Sequence, residues 1–173
     1  MLNATIELAI GKIIQNLPFL PSYAHWALLV HYENQKFLYQ ITRREDINLT
    51  PICSIVEIKS TIVIGEDINH VISQVKFEKE YKTFSLGYTL NDLTIQKMEE
   101  IFEKRTKSMF FCPYSREIEY YNPLDNNCQD LFQNLIKDLI EEGFLSLDTF
   151  KDFKVFSSYH KIIPFGGWLK ELN

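Results

Sequence analysis

Apolar residues recur along the chain in two rhythms. Ile6, Ile10, Ile13, Ile14 and Leu17 fall at helical spacing with Pro18 behind them, so this pattern predicts an amphipathic helix over residues 4–17. Residues 24–32 and 37–42 are dense in β-branched, leucine and aromatic side chains. With Glu33-Asn34-Gln35 between them they predict a β-hairpin. Further strands are expected over 54–60, 61–64 and 74–77. Asp92 is a capping residue type ahead of a helix whose buried stripe is Ile95, Met98, Ile101 and Phe102. The clearest element comes next. Cys128, Leu131, Phe132, Leu135, Ile136, Leu139 and Ile140 mark one face of a helix, Asp125, Asn126 and Asn127 precede it, and Gly143 stands where it would stop. A helix, a meander of strands and then more helices define an α+β domain.

Composition narrows the function classes. The 173 residues form a single domain, and 46% hydrophobic content is enough to build its core. A net charge of -5 and a pI near 5.4, with scattered basic residues, exclude nucleic acid as the main partner. The three cysteines form no CxxC spacing, and no two of the four histidines stand four apart on one helix. Neither a metal nor another cofactor is therefore expected. So sparse and odd a cysteine count suits free thiols in a reducing compartment. The segment from Ile6 to Leu17 is broken by Glu7, Lys12, Gln15 and Asn16, no basic stretch precedes it, and no run approaches the length of a membrane span. The expectation is a cytoplasmic protein.

Cys128 holds the most promising chemistry. Free N–H groups in the first turn of a helix stabilise a thiolate and can afterwards bind the oxyanion formed on a substrate carbonyl. Plain packing also accounts for a cysteine on an apolar stripe. Cys53, beside Pro51-Ile52, and Cys112, before Pro113, lack such a setting and read as structural. A thiol enzyme needs a base, and His25 stands near the start of a predicted strand where its ring can project at the sheet's end.

The segment Tyr23-Ala24-His25-Trp26-Ala27-Leu28-Leu29-Val30 resembles the Tyr-x-His-Trp-Ala start of the lecithin retinol acyltransferase family. About a hundred residues on, Tyr121-Asn122-Pro123-Leu124-Asp125-Asn126-Asn127-Cys128-Gln129-Asp130-Leu131-Phe132 resembles that family's Asn-Cys-Glu-His-Phe box. The order, histidine before cysteine, is that of circularly permuted papain-like folds, which relates the family to NlpC-type peptidases and desumoylating isopeptidases. The resemblance covers a core of about residues 20–145. It implies an antiparallel sheet packed on helices, with the nucleophile Cys128 at a helix N-terminus and His25 as its base. It also implies Tyr23 close to the nucleophile, helping to hold the oxyanion.

The third site residue departs from the family. Gln40 occupies the place where the resemblance would put a histidine. It can hydrogen-bond an imidazole N–H, but it stabilises an imidazolium less well than a carboxylate does. A turn one residue longer or shorter would bring Tyr39 to that face instead. His31 shares strand parity with His25, yet six strand residues separate them by about 20 Å, which marks it as a hairpin-end residue. The family's Glu-His is Gln129-Asp130 here, and the hydrophobic tail anchor of membrane-acting members is missing. The implied activity is a cysteine-dependent hydrolase or acyltransferase working through a thioester. Its acyl donor is either a phospholipid ester or a peptide or isopeptide bond. A lipid substrate would bring peripheral membrane contact through the N-terminal helix or Trp168. The alternative is a binding module that keeps the fold without turnover.

Overall fold

The computed structural model describes residues 3–12, 24–43, 51–57, 60–64, 82–110 and 128–148. Its strands are β1 (Thr5–Lys12), β2 (Ala24–His31), β3 (Lys36–Arg43), β4 (Pro51–Glu57), β5 (Ser60–Ile64) and β6 (Lys82–Tyr88), and its helices are α1 (Ile95–Phe110) and α2 (Cys128–Glu141). The strands form one antiparallel sheet in the order β5-β4-β3-β2-β1-β6. The architecture is α+β.

Strand alternation sorts the side chains into two layers. Ile6, Leu8, Trp26, Leu28, Val30, Phe37, Tyr39, Ile41, Cys53 and Ile55 join one core with Met98, Phe102 and Phe110 of α1 and Leu131, Phe132, Leu135, Ile136 and Leu139 of α2. Ala9, Ala27, Leu29, Leu38 and Val56 form a second cluster from the intervening positions, and it too is buried. The sheet is therefore covered on both faces, which explains why β2 reads as a nearly unbroken apolar run. Helix α2 packs on β2, β3 and α1. Trp26 and Phe132 meet edge to face with ring centroids 5.9 Å apart, a contact worth about 0.5–1.5 kcal/mol beyond its buried area.

Residues 5–12 form a strand, not the helix predicted over 4–17. Ile6 and Leu8 face the helices while Ala9 is buried on the far side, and pairing with both β2 and β6 satisfies the backbone along the strand. A strand buried on both faces loses the polar half of its alternation, and its isoleucines then imitate a helical stripe. These residues lie inside the sheet and cannot serve as a membrane-surface helix. The strand expected over 54–60 begins earlier, at Pro51, and ends at Glu57 before β5 starts at Ser60. The expected strand over 74–77, and the part of the expected N-terminal helix beyond residue 12, lie outside the described residues.

The sequence pattern did not single out β6. It carries a bulge: Ile6 pairs with Gly87 and Glu7 with Ser85, which leaves Leu86 as the extra residue, and Gly87 takes φ of 103°. The cap of α1 is Thr94 and not Asp92, because the Thr94 hydroxyl accepts the Lys97 N–H at 3.1 Å. Helix α2 stops as its pattern predicts. Gly143 has φ of 81°, its N–H reaches the Ile140 carbonyl at 3.0 Å, and the Phe144 N–H reaches the Leu139 carbonyl at 2.8 Å. This double bond is the Schellman ending that a left-handed glycine permits. Arg105 of α1 clasps Asp138 of α2 with two hydrogen bonds, at 2.8 and 2.5 Å.

Candidate functional site

The site lies where two neighbouring strands part. Pairs between β2 and β3 run from His31–Lys36 to Leu28–Tyr39 and end there. Strand β2 nevertheless continues back to Ala24 on β1, and β3 continues to Arg43 on β4. Residues 24–27 and 40–43 therefore flank a fork in the sheet. A strand N–H that is not given to β1 points sideways, in the plane of the sheet, toward the side of β3.

Helix α2, which begins at Cys128, packs on both of these strands. The backbone N–H groups of Trp26, Cys128 and Gln129 favour the thiolate form of Cys128. Three N–H groups around one sulfur form a small anion-stabilising nest at a helix start. Burial outweighs them. Cys128 is only 3% exposed, and desolvation, abetted by the nearby Asp130 carboxylate, pushes its thiol up to about 11.

His25 is one peptide away from the Trp26 N–H. In the pleat it alternates with Trp26, so it belongs to the face of Ala27 and Leu29, away from the helices. Its Nε2 lies 2.7 Å from Oε1 of Gln40, across the fork on β3. A carbonyl oxygen only accepts, so Nε2 carries the proton and Nδ1 is left with the lone pair. The structure thus brings Gln40 to His25. Tyr39 points the other way, into the helix-side core, where its ring lies 5.4 Å from that of Phe102. Burial lowers the His25 imidazole to about 4, against a smaller opposing effect of the Gln40 hydrogen bond. Near neutral pH His25 accordingly rests as a neutral imidazole and Cys128 as a thiol.

Tyr23, Cys112, Trp168 and the Asp125-Asn126-Asn127 run lie outside the described residues. Cys53 is wholly buried in the helix-side core, and desolvation raises its thiol further than that of Cys128. His31 sits at the hairpin end, with Nε2 2.8 Å from the Glu7 carboxylate. Among the described residues no cluster of His, Cys, Asp and Glu could hold a metal ion, and no helix is long and apolar enough to cross a membrane.

Sequence reasoning did not single out Ser54. It faces Gln40 directly in the β3–β4 register and is fully buried on the same side of the sheet as His25 and Gln40. Finding it requires that register, which no local pattern in residues 51–57 encodes. No protein family, curated protein or solved structure matches the chain.

Proposed function

We propose that the chain is a cysteine-dependent hydrolase or acyltransferase on a circularly permuted papain-like plan, with Cys128 as nucleophile, His25 as base and Gln40 as the residue that orients the base. The observation that carries this reading is the buried 2.7 Å bond from His25 Nε2 to Gln40 Oε1, made where β2 and β3 part. It leaves Nδ1 with the lone pair that a base needs.

On this reading Nδ1 takes the Cys128 proton as the sulfur bonds to an ester or amide carbonyl carbon. The carbonyl electrons move to oxygen, and N–H groups of the nest bind the oxyanion. When the tetrahedral intermediate collapses, the C–O or C–N bond breaks and the imidazolium returns its proton to the leaving group. Water or another acceptor then releases the acyl group from the thioester. Tyr23 belongs to the proposal as a further oxyanion donor. The acyl donor is a phospholipid ester or a peptide or isopeptide bond.

A second reading has its own support. Cys128 and His25 are each 3% exposed, and burial holds both in their neutral forms, as it would in a binding module that has lost turnover. Intact-mass analysis after exposure to phospholipids, peptides, ubiquitin-like probes and p-nitrophenyl acetate separates the two. An acyl adduct lost in Cys128→Ala, strongly reduced in His25→Gln and kept in Cys53→Ala supports the enzyme and identifies its donor. If no donor of any class acylates Cys128, the binding module is the better account.

A further inference from the structure

The face of the sheet turned away from the helices carries two buried polar groups that the described residues leave unmet. Gln40 offers Oε1 to His25 at 2.7 Å, but its amide nitrogen Nε2 is buried and has no hydrogen-bond partner among the described residues. The Ser54 hydroxyl, opposite Gln40 in the β3–β4 register, is buried and unpartnered in the same sense. Gln40 is 1% exposed and Ser54 fully buried, so both are cut off from bulk solvent. Leaving such a group dry forfeits its hydration, and the large majority of buried polar groups in folded proteins are met.

Apart from His25, the described neighbours on this face are apolar. Leu38 and Val56, the next facing pair along β3 and β4, are buried hydrophobics, as are Ala27 and Leu29 of β2. The two unmet groups face each other without a direct hydrogen bond. The face also leaves room above them. Serine and alanine are small, Ala9 and Ala27 sit side by side on β1 and β2, and β2 parts from β3 beside Gln40. Facing residues of an antiparallel pair have Cβ atoms about 4.5–5.5 Å apart, a span across which one water molecule can bond to both side chains.

We infer that Gln40 and Ser54 form a hydration site that holds one buried water molecule between β3 and β4. The amide N–H of Gln40 only donates, so the occupant must accept there. The Ser54 hydroxyl either donates or accepts, and water complements it in both cases. A water therefore meets both groups without fixing the serine proton or the His25 tautomer. Two polar partners in an apolar setting are the least that a buried water requires. The water ties Gln40 to β4 as His25 ties it to β2, so the amide is held at both ends. The site stands whether or not Cys128 is a nucleophile.

The test is a high-resolution crystal structure of the full-length protein. One density peak should lie about 2.7–3.2 Å from both Gln40 Nε2 and Ser54 Oγ. The inference is overturned by the absence of that peak from a map that shows other buried waters. A direct Gln40–Ser54 hydrogen bond, or a protein atom in that place, overturns it equally. Ser54→Val, which replaces the hydroxyl with methyl groups, gives an independent reading in solution. It should expel the water, leave Gln40 Nε2 unmet and lower the Tm below that of the wild type. Oxygen-17 relaxation dispersion of the solvent should fall by the share of one long-lived water. Unchanged dispersion overturns the inference, and a Tm above wild type beside it marks valine filling a dry gap. If Ser54→Val does not fold, the wild-type map decides alone.

Discussion

Lowering the pH from about 7.5 to about 5 puts a proton on His25 in the unfolded chain but not in the native one. Burial holds the native imidazole down to about 4 from an ordinary 6.5, and the Gln40 hydrogen bond recovers only part of that loss. Between those two values the unfolded state binds more protons, so stability falls as the pH falls through 6.5 and the loss is complete near 4. The full difference is worth about 3 kcal/mol, and roughly 2 kcal/mol of it is spent by pH 5. With a urea dependence of about 2 kcal/mol per molar, the His25 contribution moves the unfolding midpoint down by about 1 M. The comparison protein is His25→Gln, which does not titrate and can still donate to Gln40 Oε1. Urea unfolding followed by circular dichroism at several pH values should give a wild-type midpoint that declines toward pH 5 more steeply than that of the variant. Parallel curves for the two proteins over this range would refute a buried, neutral His25.

Other parts of the framework make their own predictions. Gly143→Ala should cost about 1–2 kcal/mol in chemical unfolding. The nearest side-chain atom to the added methyl is 4.0 Å away, so the penalty is the left-handed backbone alone. Asp138→Ala should cost roughly 1 kcal/mol and lose most of its effect in high salt, because the partly exposed Arg105 clasp is screened by solvent. Phe132→Ala removes the ring that seats α2 on Trp26 and should cost about 3–5 kcal/mol, read as a fall in Tm.

The elements that were legible in the sequence are those whose apolar pattern has one face. Helix α2 announced itself because its far side is polar, and Gly143 marked its end through a backbone angle that few other residues adopt. The hairpin of β2 and β3 was readable from β-branched density and a polar turn, closed by the Tyr32 N–H on the Gln35 carbonyl. Strand β1 was misread because the second layer buries Ala9 as well, which erases the alternation that separates a strand from a helix. For α1, Asp92 and Thr94 are equally good caps in sequence. In the structure it is the Thr94 hydroxyl that takes the Lys97 N–H. In the site, His25 and Cys128 were named from two short boxes, and Gln40 from the strand that follows the first of them. Gln40 over Tyr39 and the presence of Ser54 are matters of register, which only strand pairing decides.

The resting charges at the site constrain how any reaction there could begin. Moving a proton from a thiol near 11 to an imidazole near 4 is uphill by roughly 10 kcal/mol before the attraction of the resulting charges is counted. Burial therefore disfavours a preformed thiolate–imidazolium pair at rest. Proton transfer becomes affordable only as the negative charge passes onto a substrate oxygen that the N–H groups of Trp26, Cys128 and Gln129 can bind. This separates two kinds of reagent. Iodoacetamide needs a thiolate and develops no oxyanion, so near pH 7.5 Cys128 should alkylate about a hundredfold more slowly than an ordinary cysteine, from its smaller thiolate fraction alone. Acylation by p-nitrophenyl acetate builds an oxyanion in its transition state and should be slowed far less. The ratio of the two rate constants, each divided by its value for the urea-unfolded chain, reads that difference directly. A site built for acyl transfer gives a ratio well above one that falls toward one in His25→Gln. A ratio near one in the wild type would mean that Cys128 is a buried cysteine and nothing more.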